Sequence, residues 1–482
     1  MGTAPDERPF AAGFRSLTEE TDLPELKVEG ALPGWLRGSL LRNGPALYEA
    51  GDRSLRHWFD GQAMVHRFTF DGARGRVGYA NRFLDTPSHR AVAQGRISYP
   101  EFATDPCRSI FARVFTRFTR EPTTNTCVSL TRFGERFVAL TETPLPVEFD
   151  PATLETLGVV GYEDALNGQV TTAHPHQDPD TGDLVNYVTR FGATSEYRVY
   201  RQKMDGGTAR ELIGVQRARH PSYMHSFAVT RRYAVLTEFP LVVTPLSIML
   251  SGRPFIENYR WEPARGTRIT VMDLRDGRLR GVYEGPACFA FHHINAFDDG
   301  DDVVLDLCAY EDASVIDTLY LDRARTCGEL PLSRPTRYRV GLSTGKVDVE
   351  RLTPEAMELP RIAYETRNGS SYRYAYGVGA RDGRRDDFLD QLVKLDVTTG
   401  ETHTWYEQGS YPGEPVLVRA PDAPDAPEGA EDDGVVLSVV LDPTARASYL
   451  LVLDARTLTE RARARVPHMV PFGFHGIHTT DA

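Results

Sequence analysis

Cysteine is scarce in this chain of 482 residues: Cys107, Cys127, Cys288, Cys308 and Cys327 are widely scattered and form no Cys-x-x-Cys pair. That excludes a disulfide framework and a thiolate metal site, and it fits a reducing cytoplasm. Long apolar runs are lacking too. Nothing approaches the roughly 18 consecutive apolar residues of a membrane span, and the polar stretch from Met1 to Arg15 has no signal-peptide core. The expectation is therefore a chain that is neither exported by that route nor transmembrane. Excess positive charge is also missing, since 55 basic residues face 67 acidic ones for a net charge of −12. Nucleic acid, whose binding needs clustered cations to release counterions, is not an expected partner. Lysine is a small minority beside arginine, a bias to which no function attaches.

What is present is an ordinary globular composition, 41% hydrophobic and 25% charged, in a chain long enough to bury a large core. Four histidines sit in similar short segments: Thr172-Ala173-His174-Pro175-His176, Tyr223-Met224-His225-Ser226-Phe227, Phe291-His292-His293-Ile294-Asn295 and Phe474-His475-Gly476. The first three precede turn clusters and then strand-like runs at Leu184–Tyr187, Tyr233–Phe239 and Val303–Leu307. A histidine at the same place in a repeating strand unit can point to one axis from several units. Imidazole suits Fe, Zn, Cu and Ni, so the candidate ligands are His174, His225, His292 and His475. Spacing alone leaves His176 open beside His174, and His293 beside His292.

A strand ending in a turn acid, followed by a short Gly- or Thr-containing link and a second strand, recurs seven times. The matches are Phe68–Gly72, Val147–Pro151, Val199–Gly207, Val271–Gly277, Tyr338–Gly345, Leu395–Gly400 and Leu451–Thr457, the fifth with Ser343 in place of the acid. Their mean separation of about 64 residues exceeds the 40 to 50 of a propeller blade, which leaves chain for a cap over one face. The expectation is an all-β, seven-bladed propeller with a helical and loop cap, all of residues 1–482 forming one domain. The cap segments expected are 85–119, 239–261 and 355–374. A β-sandwich with ordinary Asp-Gly turns is the alternative.

Four neutral histidines leave a metal's positive charge uncompensated, and metal-bound histidines usually donate their other ring N–H to a carboxylate or carbonyl. Glu142, Glu358 and Glu414 occupy strand or turn contexts where an inward acid would need such a partner.

These residues carry a resemblance that runs along nearly the whole chain. It includes Leu41-Arg42-Asn43-Gly44-Pro45, His57-Trp58-Phe59-Asp60-Gly61, the His174 and His292 segments, Tyr372–Gly377, Glu431–Val440 and Phe474-His475-Gly476. The chain resembles the carotenoid cleavage oxygenases, which include β-carotene oxygenases, plant and bacterial apocarotenoid oxygenases and the vertebrate retinoid isomerase. The resemblance implies one Fe(II) on the propeller axis, held by His174, His225, His292 and His475 and steadied by Glu142, Glu358 and Glu414. Its Ala-His-Pro and Phe-His-x-x-Asn motifs select the first histidine of each pair.

The resemblance further implies a dioxygenase that splits one C=C bond of a carotenoid or apocarotenoid into two carbonyl products, with O₂ as co-substrate. So apolar a substrate implies an apolar tunnel, for which Phe102, Phe239 and Tyr364 are the candidates from the cap segments. Resemblance to the animal enzymes leans towards retinal-like aldehydes. Retinoid isomerohydrolase and stilbene-cleaving activities of the same family stay open, as does a silent carotenoid-binding propeller. A carotenoid resides in membranes, so transient peripheral docking is expected through Pro240–Leu250 or Cys107–Phe118, both rich in apolar side chains.

Overall fold

In the computed structural model, residues 8–105, 123–326, 328–421 and 431–481 are described. Seven sheets of four or more strands follow one another around an axis as the blades of a β-propeller. The sixth is typical: Glu358–Arg361 lies at the axis, followed outward by Tyr374–Gly379, Gln391–Asp396 and Thr402–Tyr406. The ring is closed twice. Gly476–Thr479, late in the chain, supplies the axial strand of the first blade, where Gly476 pairs with Arg42. Lys27–Gly30, near the start, lies outermost in the seventh blade, where it pairs with Glu460–Val466.

The seven turns read from sequence all join the third and fourth strands of a blade. In six of them the acid explains why the chain turns: its carboxylate accepts backbone N–H groups two or three residues on, replacing lost ladder bonds, as Asp71 does from Arg74 and Asp205 from Gly207. Asp150 accepts from Ala152 and Thr153, Asp273 from Arg275, Asp396 from Thr398 and Thr399, and Asp454 from Arg456 and Thr457. The fifth turn differs from the expectation. Gly341, not Ser343, stands where the acids stand, because its N–H and C=O make the same pair of backbone bonds, to Lys346 and Gly345. Four residues after Asp150, Asp273, Gly341, Asp396 and Asp454 the backbone is left-handed, at Leu154 (φ 60°), Gly277 (68°), Gly345 (72°), Gly400 (77°) and Leu458 (55°). The two leucines accept that conformation while burying their side chains in the core.

Blades stack face to face, so a strand between two neighbours is apolar on both sides. Gly434–Asp442 is the clearest case. Val435 and Leu437 pack against Leu40 and Phe68 of the first blade, whereas Val436 and Val440 join Tyr376 and Leu392 of the sixth. Period-two alternation sends adjacent valines into different layers, which is why this run reads as continuously hydrophobic.

Antiparallel order also assigns each connection to an end of the propeller. Links between second and third strands, and links between blades, emerge opposite the Asp-Gly turns. The described residues of the links 84–128, 239–266 and 310–333 therefore belong to one end, the cap end. The last of these, with helices Ser314–Thr318 and Leu321–Thr326, was not foreseen from sequence. Residues 362–373 join first and second strands and so emerge at the turn end, contrary to the expectation that they contribute to the cap. The expected docking stretch Cys107–Phe118 lies outside the described residues. Among the described residues no helix is long and apolar enough to cross a membrane.

Candidate metal centre

Each candidate histidine stands where the chain enters, or interrupts, an axial strand at the cap end. His292 directly precedes His293–Asp299, and His475 directly precedes Gly476–Thr479. His225 precedes Ala228–Val229. His174 is delivered by a bulge: Thr171 pairs with Val188 and His176 with Val185, so four residues face two and the excess is pushed inward. Thr172 fixes the bulge by accepting the His174 N–H at 3.0 Å and by donating its hydroxyl to the His225 carbonyl.

The four side chains converge. One ring nitrogen from each of His174, His225, His292 and His475 lies within 4.8 Å of all the others. Nε2 atoms meet at 3.1 Å between His174 and His225, and again at 3.1 Å between His292 and His475.

Three of the rings are oriented from behind. His225 Nδ1 donates to Glu142 Oε1 at 2.7 Å, His292 Nδ1 to Glu358 Oε2 at 2.5 Å, and His475 Nδ1 to Glu414 Oε1 at 2.7 Å. A proton held on Nδ1 leaves the Nε2 lone pair facing the axis. Burial, reinforced by the other three imidazoles, holds His174 far below the ordinary imidazole range. Burial also lowers His225 against the pull of Glu142, and lowers His475 to about 4. Neutral imidazoles whose bare nitrogens face one another at 3.1 Å repel unless a cation lies among them. The donor set fits a borderline-soft divalent transition metal.

The glutamates are not equivalent. Glu142 also accepts the Tyr223 hydroxyl at 2.7 Å, and Glu358 accepts the Leu359 N–H at 2.8 Å. Glu414 is fully buried between two arginines, Arg42 and Arg361, and accepts the Gly476 N–H at 2.9 Å. Burial alone would raise its pKa, but Arg361, His475 and Arg42 together outweigh that and carry it down to about 2. Sequence reading missed the role of both arginines, although Arg42 lies in the Leu41–Pro45 motif and Arg361 three residues after Glu358.

The neighbouring histidines face elsewhere. His293 Nδ1 meets the Ser226 hydroxyl at 2.7 Å and its Nε2 meets Thr237 at 2.9 Å. His176 bonds the Phe227 carbonyl at 2.9 Å and the Tyr364 hydroxyl at 3.2 Å.

Over the nitrogens lies an internal cavity of about 70 Å³, walled by Trp58, Phe59, Phe291, Leu319, Leu332, Phe388, Phe472 and Phe474. His225, His292 and His475 reach its surface. Phe59 stacks on His225 with 5.9 Å between ring centroids, held there by the His57–Gly61 turn, in which the Asp60 carboxylate accepts the N–H groups of His57 and Ala103. Nothing in the sequence marked Phe59 apart from the motif that contains it. A second basin of about 540 Å³ opens at the cap end, lined by Leu241, Ile256, Tyr259, Trp261, Ile316 and Tyr320.

None of the three tunnel candidates lines the inner cavity. Phe102 packs between Phe59 and Tyr223, at 5.2 and 5.7 Å, in the aromatic layer that separates cavity from basin. Phe239 is buried against Phe289 at 5.7 Å. Tyr364 is at the turn end, where its hydroxyl accepts the Gln177 N–H at 3.1 Å.

The model of the retinal pigment epithelial membrane protein family matches residues 14–480. A carotenoid-cleaving dioxygenase, mitochondrial, of Mustela putorius furo is 34% identical over 98% of this chain and 97% of its own. A carotenoid isomerooxygenase of Galleria mellonella is 35% identical over 96% of this chain and 95% of its own. Cobalt-substituted Synechocystis apocarotenoid oxygenase superposes with a TM-score of 0.86 at 26% identity, over 98% of both chains. With its seven blades, its four axial histidines and end-to-end similarity of this extent, the chain belongs to the carotenoid cleavage oxygenase family, the family of the retinal pigment epithelial membrane protein.

Proposed function

We propose that this protein is an Fe(II) dioxygenase that cleaves one C=C bond of a carotenoid or apocarotenoid into two carbonyl compounds. The observation that carries the reading is the convergence of four Nε2 atoms beneath an almost wholly apolar cavity. His174, His225, His292 and His475 would hold the iron, with Glu142, Glu358 and Glu414 fixing three of the rings. The metal, when bound, supplies activation of O₂. The chain's own share is to position a rigid polyene so that one of its many double bonds lies over the centre. Phe59, Phe291 and Phe474 offer the flat apolar surfaces for that. The cavity is smaller than the roughly 300–1,000 Å³ typical of ligand pockets, so a polyene enters only when aromatic side chains of its wall turn aside.

The test is incubation of iron-loaded protein with β-carotene and with an apocarotenal, with and without O₂, and identification of products by mass. Aldehydes that form only with O₂ support the reading, and their lengths name the bond. An ester-cleaved, isomerised product formed without O₂ would replace it with the isomerohydrolase reading.

The same proposal includes a cytoplasmic protein that touches a membrane to collect its substrate. Support comes from helix Pro245–Leu250, whose Leu246 and Leu250 are 57% and 66% exposed while Leu241, Val242 and Val243 before it are buried. Leu241 also lines the outer basin, so a lipid surface there would face that basin.

A further inference from the structure

Behind the inner cavity lies a separate polar basin of about 150 Å³. The wall between them is the stretch 330–334 together with Tyr310. Leu330 and Ser333 face the inner cavity, Arg334 faces the basin, and Tyr310, Pro331 and Leu332 border both. Arg334, Arg351 and Arg385 converge on the basin, opposed by Glu311 and Asp312.

The arginines are held, yet poorly neutralised. Arg334 Nη1 donates to the Ser333 carbonyl at 3.1 Å and Arg385 Nε to the Leu330 carbonyl at 3.2 Å, so the wall itself fixes two guanidinium planes. Among the described residues neither Arg334 nor Arg351 forms an ion pair, and the partner of Arg385 is the exposed Glu329 at 3.8 Å. Asp312 is engaged locally, its Oδ1 accepting the Ser314 N–H at 2.8 Å. Burial lowers the pKa of Arg334, and Arg351 and Arg385 add to the effect against Glu355 and Glu311. Cations gathered this way favour an anion. Guanidinium groups bind a carboxylate through two parallel N–H···O bonds, whereas an aldehyde offers one neutral acceptor.

We propose that this basin receives the carboxylate terminus of an apocarotenoid acid whose hydrocarbon chain lies in the inner cavity, so that Arg334, Arg351 and Arg385 set substrate preference. The proposal rests on the reading of the inner cavity as the seat of a polyene. It requires the Leu330–Ser333 wall to part around the chain, which the shared Tyr310, Pro331 and Leu332 make a short path.

The experiment compares an apocarotenoic acid with the aldehyde of the same length. Binding to metal-free full-length protein is followed by quenching of tryptophan fluorescence, Trp58 being part of the cavity wall, and KM is measured on iron-loaded protein. The acid is expected to bind roughly tenfold more tightly, as for a neutral hydrogen bond replaced by a charge-assisted pair. Arg351→Gln, at an exposed position, and Arg334→Gln should each bring the acid-to-aldehyde ratio towards one. Equal affinity of the unmodified protein for acid and aldehyde overturns the proposal, as does an acid preference that survives both substitutions. Preference for the acid without cleavage of either compound upholds this basin while removing the dioxygenase reading. Cleavage of both with equal KM does the reverse.

Discussion

His475 and Glu414 are joined at 2.7 Å by a hydrogen bond whose acceptor is also the counter-charge of Arg42 and Arg361. One carboxylate thus orients an imidazole and neutralises two buried or half-buried cations. Glu358 serves His292 at 2.5 Å, and among the described residues no arginine pairs with it. Substitution by glutamine should therefore separate the two. Glu358→Gln should weaken metal binding by roughly 10- to 100-fold with a modest loss of stability. Glu414→Gln should weaken metal binding and also destabilise the fold by about 3–5 kcal/mol, because it strands buried positive charge. Metal analysis by mass spectrometry together with thermal unfolding checks both; equal melting temperatures for the two variants would contradict the distinction.

His292 and His293 are adjacent but face opposite ways. His292→Ala should abolish metal retention. His293→Ala should retain the metal and lose about 1–3 kcal/mol of stability, since the Ser226 and Thr237 hydroxyls lose a buried partner. Metal content in the purified variants decides; full occupancy in His292→Ala would overturn the assignment.

Glu101 is buried with Ser88 and Gln62 as hydrogen-bonding neighbours, and among the described residues no cation pairs with it. Burial, aided by Asp60, raises its pKa to about 8 against the pull of hydrogen bonds from Thr123, Ser88 and Gln62. The folded state therefore holds this proton more tightly than the unfolded one. Its contribution to stability is complete below the ordinary carboxyl pKa near 4.5 and is lost as pH rises through about 8. Unfolding temperatures of the protein should fall between pH 5 and 9, and Glu101→Gln should flatten that fall. Parallel curves for the two proteins would exclude an ionising Glu101.

Leu246→Asp with Leu250→Asp should abolish sedimentation with phospholipid vesicles. Cleavage of detergent-solubilised substrate should persist, because both residues are exposed and neither borders the inner cavity. Unchanged sedimentation would move the membrane contact elsewhere.

Much of this molecule was legible in the sequence, for a physical reason in each case. The blade turns could be read because Asp150, Asp273, Asp396 and Asp454 cap their own backbone, a local interaction with a local signature. The fifth turn was misread because Gly341, two residues before Ser343, holds the acid's place through its backbone bonds alone, with no side chain to mark it, and the left-handed residue follows at Gly345. The histidines were legible as repeated segments. Arg42 was not, since its meaning depends on Glu414, which lies 372 residues away in sequence. The cap link 310–333 carries no motif at all, yet it supplies Val315, Leu319 and Leu330 to the cavity wall. Residues 362–373 misled because their Gly and aromatic content says loop without saying which end of a blade the loop leaves.

The strand that closes the ring, Gly476–Thr479, begins at the residue after His475. Latching the circle and completing the nitrogen set are consequently one event. A nascent chain with six blades formed holds at most three of the four imidazoles in place, and tight metal capture awaits the final stitch. Ion uptake would then serve as a clock for maturation, starting only when the propeller has become a closed ring.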